Sequence, residues 1–279
     1  MRIDVKKTYK LYIGGAFPRS ESGRSYEVKG AKGAFIANPA HASRKDLRDA
    51  VVAARNAFAG WSGATAFNRG QILYRVAEVM EGRTEQFVAE IVALEGCTPA
   101  IARKQVQEAI DLWVWYAGWT DKIGSIYGST NQVSGAFYNF TIPEPLGVVG
   151  VYAHQKPSLL GTVRAIAPVV AAGNTAVLIA SEKFPLPAIT LGEVLATSDL
   201  PGGVINILTG KTEEFVSWMA SHMDIDAIDA TGLNSDQRKL TEVEATVNLK
   251  RVHSFSESAT PQRILSFMEN KTVWHPIGI

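Results

Sequence analysis

Few residues in this chain are of a type that does chemistry, and they are widely scattered. One cysteine, Cys97, stands in the run LEGCTP (residues 94–99). A thiolate could act as a nucleophile, but a lone cysteine closing a helical run is expected to be a half-buried structural residue. His154, Gln155 and Lys156 precede a helix that begins near Ser158. A cation and free helical N–H groups converging there could bind an anion. Glu182 follows a strand, where an acid at a helix N-terminus is favoured by the helix dipole. His222, His253 and His275 have no metal-ligand spacing with Cys97 or with the acids, so no metal is expected. A single cysteine also excludes an intramolecular disulfide framework and any Cys-rich metal site. No G-x-G-x-x-G follows a strand and no G-x-x-x-x-G-K-[ST] occurs, so any dinucleotide would be held in a non-standard way.

The elements that must position these residues follow from periodicity. Lys10 to Asn38 alternates apolar and polar residues around Gly14-Gly15, Gly30 and Gly33, as short strands joined by turns do. Ser43 with Asp46 resembles a capping box, and Leu47, Val51, Ala54, Phe58 and Trp61 then recur on one helix face. Further helices are predicted over Gln71 to Arg83, Thr84 to Leu94 and, as one long segment, Ile101 to Ile123. From 135 onward the texture is β-rich, and Pro143 and Pro145 suggest an edge strand or a crossover. Strands are then predicted in LGVVGVYA (146–153) and over Thr175 to Ile179, Val204 to Leu208, Ile225 to Ile228 and Leu249 to Phe255. Helices over Leu159 to Val170, Leu186 to Ala196, Glu213 to Ala220 and Asp236 to Glu244 alternate with them. Five strands interleaved with helices predict an α/β, Rossmann-like, doubly wound parallel sheet, which binds ligands at the carboxyl ends of its strands.

Composition narrows the class of partner. The chain has 279 residues, is 46% hydrophobic and 20% charged, and its 28 Lys+Arg nearly balance its 27 Asp+Glu, for a net charge of +1. No global field draws it to nucleic acid or to an anionic membrane. MRIDVKKTYK lacks an apolar signal region, and no stretch stays apolar long enough to span a bilayer, so a cytoplasmic protein is expected. The Asn139-Phe140-Thr141 sequon reads as strand rather than as a glycosylation acceptor.

The block PLGVVGVYAHQKPSLLGTVRAIAPVVAAGNTAVLIASEKFPL (145–186), with LPGGVINILTG (200–210) and NLKRV (248–252), resembles aldehyde dehydrogenases. YKLYIGGAF and WYAGWTDKI upstream resemble the same family's N-terminal strands and helices. The likeness is collinear from Tyr9 to Val252. It implies a cofactor-binding domain over 1–134 and 146–255 and a β oligomerisation arm over 135–145 and 266–279. After Phe255 the family continues into a catalytic domain bearing the reactive cysteine, whereas SFMENKTVWHPIGI resembles the family's last strand. The catalytic domain is therefore expected to be absent, an arrangement similar to the degenerate C-terminal module of the double-length family-sixteen aldehyde dehydrogenases.

The resemblance also locates the family's functional positions. Its oxyanion-holding asparagine corresponds to Lys156, and its water-activating glutamate falls on Phe255, with Glu257 displaced two residues along, so no catalytic residue is expected. Its K-P-[SA]-E motif appears as Ile179-Ala180-Ser181-Glu182, in which Glu182 can accept ribose hydroxyls while Ile179 offers no donor. The glycine that lets a helix approach pyrophosphate survives as Gly232, followed by Leu233 in place of a serine. Cofactor contacts are thus expected from Glu182, Gly210, Gly232 and, weakly, Lys156, with NAD or NADP binding weak or absent.

The retained terminal strand implies a partner. In the family the strands resembling Ala136 to Ile142 and Lys271 to Trp274 form an arm that adds to a neighbouring subunit, and an uncovered strand edge is an aggregation liability. A non-catalytic subunit docked on a full-length aldehyde dehydrogenase is the leading expectation, with a homodimer as the other arrangement. The rival reading is an NAD(P)-dependent aldehyde oxidoreductase active only in a complex that supplies the cysteine.

Overall fold

The computed structural model describes residues 7–256 and 258–278. The chain opens with a short antiparallel ribbon, β1 (Val28–Lys29) and β2 (Phe35–Ala37), followed by helices α1 (Arg44–Gly63), α2 (Ala66–Glu81), α3 (Thr84–Glu95), α4 (Pro99–Ala117) and α5 (Ile123–Tyr127). Ser43 caps α1 in a full capping box with Asp46. The Asp46 carboxylate also accepts from Ser20 Oγ at 2.7 Å, so one acid ends the helix and fastens the preceding loop to it. The long helix predicted over Ile101 to Ile123 is two helices. Gly118 ends α4, and Thr120 Oγ donates back to the Ala117 carbonyl at 2.9 Å, satisfying a carbonyl that a continuing helix would have used.

Strand and helix then alternate: β5 (Val148–Tyr152), α6 (Ser158–Ala171), β6 (Thr175–Ile179), α7 (Leu186–Leu195), β7 (Ile205–Leu208), α8 (Thr212–Ala220), β8 (Ala227–Asp229), α9 (Ser235–Ala245) and β9 (Arg251–His253). The five strands form one parallel sheet in the order β7-β6-β5-β8-β9, the doubly wound arrangement expected. Its strand order reverses between β5 and β8. Alternate residues divide the core in two. Val149, Val151, Leu178 and Ile207 face α2, α4, α6 and α7, while Val148, Tyr152, Val177 and Ile228 face α1 and α8. The central strands are buried on both faces, which is why they read as continuous apolar runs. Along the β7 edge Tyr12 exchanges two backbone hydrogen bonds with Ile207, so the N-terminal segment covers that edge.

A second sheet joins β3 (Ser129–Asn131), β4 (Phe137–Pro145) and β10 (Met268–Pro276) in the order β10-β4-β3, all antiparallel. β4 is flanked on both sides over residues 139–141, while its proline-bearing end pairs with β10 alone among the described residues and is an edge there, one of the two arrangements its prolines suggest. Pro143 and Pro145 lie beyond the stretch paired with β3, opposite Asn270 and Met268 of β10, so their missing N–H groups cost the ladder nothing on the open side. The sheet also begins at Ser129, ahead of the boundary expected at 135.

Between β9 and β10 the chain crosses the molecule in a short segment containing α10 (Pro261–Leu265). α10 packs on α6, and Ile264 and Phe267 are fully buried in the core cluster on that side of the sheet. The β8–β9 end of this face is thus covered by the chain's own residues.

Candidate functional site

The carboxyl ends of β5, β6, β7 and β8 carry every position singled out for a ligand. After β5 the loop runs through His154, Gln155 and Lys156 into α6. Glu95, the last residue of α3, inserts its carboxylate at the start of α6, accepting from Ser158 N at 2.8 Å and Ser158 Oγ at 2.7 Å. Gln105 of α4 lies 3.4 Å from both oxygens, and Lys156 Nζ donates to the Glu95 carbonyl at 3.3 Å. The anion expected at this helix N-terminus is therefore supplied by the chain itself. Lys156 braces that contact. Gln155 Oε1 accepts from Ser181 Oγ and Lys183 N, both at 3.1 Å, pinning the loop after β5 to the loop after β6. Cys97 lies two positions beyond Glu95, past the left-handed Gly96 that closes α3, half-buried at the margin of the core.

Glu182, after β6, accepts from the Thr212 N–H at 3.0 Å, the first helical amide of α8. A half-buried acid thus satisfies an orphan donor at a positive helix end. Burial and, secondarily, the nearby Glu182 charge push the Tyr26 hydroxyl upward and keep it protonated. Ile179 ends β6 fully buried. Gly210, after β7, has His41 Cδ2 2.9 Å and Phe215 Cε2 3.0 Å from where a Cβ would lie. Gly232, after β8, has the Ala153 and Tyr152 carbonyl oxygens where a Cβ would lie. Its missing side chain serves the close approach of this loop to β5. The following helix, α9, is closed by a capping box between Asn234 and Gln237. At these strand ends Glu182 Oε2, the Thr212 N–H and the N–H groups of Asn234 and Gln237 are engaged within the chain.

A buried polar group that the sequence reading missed stands at the end of β8. Asp229 is wholly buried, and its Oδ2 lies 3.3 Å from Nη2 of Arg263 on α10, itself buried. Its Oδ1 accepts from the Thr231 N–H at 2.9 Å and from the Thr231 hydroxyl. Thr231 Oγ in turn accepts from Phe255 N at 3.0 Å, and the Arg263 guanidinium lies over the Phe255 ring, 4.7 Å from its centroid. Burial raises the Asp229 carboxyl above the usual range, opposed by Arg263 and the Thr231 contacts. Phe255 occupies the place the resemblance gives to a general base, and its side chain is part of this apolar and cationic packing. Glu257 lies outside the described residues. Among the described residues no group of three His, Cys, Asp or Glu side chains is placed to hold a metal ion, and no helix is long and apolar enough to cross a membrane.

Known proteins match this arrangement over most of the chain. The family model described as aldehyde dehydrogenase family matches residues 17–269. Retinal dehydrogenase 2 of Homo sapiens is 35% identical over 256 residues, covering 90% of this chain and 48% of the relative. An aldehyde dehydrogenase of Aspergillus niger is 31% identical over 282 residues, covering 99% and 56%. Among solved structures, a putative aldehyde dehydrogenase from Burkholderia cenocepacia superposes with a TM-score of 0.85 at 30% identity, covering 88% of this chain and 50% of that one. The NAD+ complex of the Bacillus cereus aldehyde dehydrogenase gives 0.82 at 26% identity over the same shares. The chain spans about half the length of the relatives it matches. The match to the family model over residues 17–269, with the agreement of fold and sequence, has one consequence: the chain belongs to the aldehyde dehydrogenase family.

Proposed function

We propose that this chain is a non-catalytic member of the family that binds NAD or NADP weakly or not at all and docks, through the β3-β4-β10 arm, on a full-length aldehyde dehydrogenase. The observation that carries this reading is the segment between β9 and β10. Phe255, Arg263, Ile264 and Phe267 close the β8–β9 face of the nucleotide-type sheet with the chain's own side chains, and Arg263 is anchored to Asp229. Engagement of Glu182 by α8 and self-capping of α9 support weak cofactor binding, since a dinucleotide would have to displace contacts already made. The arm supports docking. Among the described residues β10 pairs within its sheet with β4 alone, and Phe137, Tyr138 and Trp274 are exposed on these two strands. Mixed with a purified full-length aldehyde dehydrogenase from the same cell, the chain is expected to elute from a sizing column in one complex. Persistent separate peaks would contradict the docking.

The sheet order itself favours a second reading. It brings Glu182, Gly210 and Gly232 to the same edge of the sheet, at the carboxyl ends of β6, β7 and β8, as a nucleotide-binding protein requires. On that reading the chain is an NAD(P)-dependent aldehyde oxidoreductase within a complex that supplies the thiol. Calorimetric titration with NAD and an assay of aldehyde-dependent NADH formation separate the two. The isolated chain is expected to form no NADH, and turnover abolished by Cys97→Ala would overturn the non-catalytic assignment.

A further inference from the structure

A cavity of about 570 Å³ lies between the start of α1 and the end of α8, and none of Lys156, Glu182, Gly210 and Gly232 lines it. Its size falls in the range of roughly 300–1,000 Å³ usual for small-molecule sites. Arg44, Leu47 and Arg48 line it from α1, at the i, i+3 and i+4 positions of one helix face. Trp218 and His222 line it from α8 and the turn beyond.

Charge in this cavity is unbalanced toward the positive. Arg44 makes no ion pair among the described residues. Arg48 is held by the neighbouring Asp49 at 2.8 Å, and Lys45 lies 3.6 Å from Glu21, the one acid among the described lining residues. Glu21 is further occupied in accepting from Ser43 Oγ at 3.0 Å. Lys250 reaches the His222 carbonyl at 2.7 Å, adding a second cation beside that histidine. Burial, and then the Lys250 and Arg44 charges, hold His222 below its ordinary range against the opposing pull of Asp224. Its Nδ1 accepts from the Asp224 N–H at 3.2 Å, so the neutral ring carries its proton on Nε2 and has a donor to offer. Trp218 is half-buried, braced edge-on by Phe215 at 5.7 Å between centroids, and so held in place as a flat apolar wall.

From these features we infer that the α1–α8 cavity is a binding site for a small planar ligand bearing a phosphate, of mononucleotide size, with the phosphate held by Arg44 and the ring packed on Trp218. A forked guanidinium without a carboxylate partner matches phosphate oxygens in a way a lone ammonium does not, and an indole face accepts any flat ring. This site is separate from Glu182 and Gly232 and does not depend on the function proposed above.

The test uses the whole chain with AMP as probe, followed by calorimetry and by tryptophan fluorescence. Wild type is expected to bind with a change in fluorescence. Arg44→Ala, at an exposed first-turn position where folding is little affected, is expected to weaken binding by about tenfold or more. Trp218→Phe is expected to retain the binding heat while losing most of the fluorescence change. Glu182→Gln, at the strand ends, is expected to leave AMP affinity unchanged. Absence of AMP binding by the wild type would overturn the inference, as would affinity lost in Glu182→Gln and kept in Arg44→Ala, which would place the ligand at the strand ends. Equal affinity for inorganic phosphate would remove the role given to Trp218 and likewise overturn it.

Discussion

Arg263→Ala is expected to lower the unfolding free energy by about 3–5 kcal/mol, because it leaves the buried Asp229 carboxylate without its cation. The variant should also soften with a distinctive pH dependence. Asp229 already has its folded-state pKa raised by burial, so in the window between the ordinary carboxylate range and that raised value the folded chain binds more protons than the unfolded one. Its contribution is therefore fully present at low pH and is lost as pH rises through the folded pKa. Removing the cation lifts that pKa further and widens the window, so the deficit of Arg263→Ala relative to wild type should be greatest near neutrality and shrink on acidification. Urea denaturation at several pH values measures this. The double variant Arg263→Met with Asp229→Asn should recover much of the loss, since two neutral groups of similar size avoid the unpaired buried charge. A single-variant loss that stayed constant with pH would mean that cavity formation, not the stranded carboxylate, is the cause.

This pair also marks where the sequence ceases to be informative. The alternation of apolar strands and amphipathic helices was legible because burial on both sheet faces leaves a periodic trace, and the predicted strand over Thr175 to Ile179 coincides with β6. The Ser43–Asp46 cap was legible because its chemistry is local. Asp229 and Arg263 are 34 positions apart, and nothing local distinguishes a charge at the end of a strand that is solvated from one that is sealed under a later helix. The same holds for Glu95, whose binding to Ser158 across 63 positions fills the helix end that Lys156 seemed to prepare for an outside anion. The resemblance gives Gly232 as the glycine that lets a helix approach pyrophosphate; that the carbonyls of Tyr152 and Ala153 lie against it is a tertiary fact. Sequence thus located the strand ends that carry the candidate residues, while the partners that occupy them come from distant parts of the chain.

Phe267→Ala should cost about as much as the loss of Arg263, about 3–5 kcal/mol, for an apolar reason. The ring is fully buried, edge-on to His253 at 5.6 Å and to Phe255 at 5.7 Å, and it is the last side chain covering the β8–β9 face before β10 begins. Its carbonyl accepts from Asn174 Nδ2 at 2.8 Å and from Leu146 N at 3.4 Å, bonds that the substitution leaves in place, so the chain path should persist while the face loses its cover. His253 reports the change. Burial holds its pKa below the ordinary value of about 6.5, so on acidification below that value the unfolded chain takes up a proton that the folded chain refuses, and stability falls. Opening the ring cluster to water should bring His253 back toward its ordinary range and flatten that acid limb. Amide hydrogen exchange should show the loss spatially, with β8 and β9 losing protection before β5 and β6, because those strands rely on the segment for their cover on this side. If Phe267→Ala cost less than about 1 kcal/mol and left His253 unchanged, then burial at this face would contribute little. The case for a sheet sealed by its own chain, and with it the non-catalytic assignment, would lose its main support.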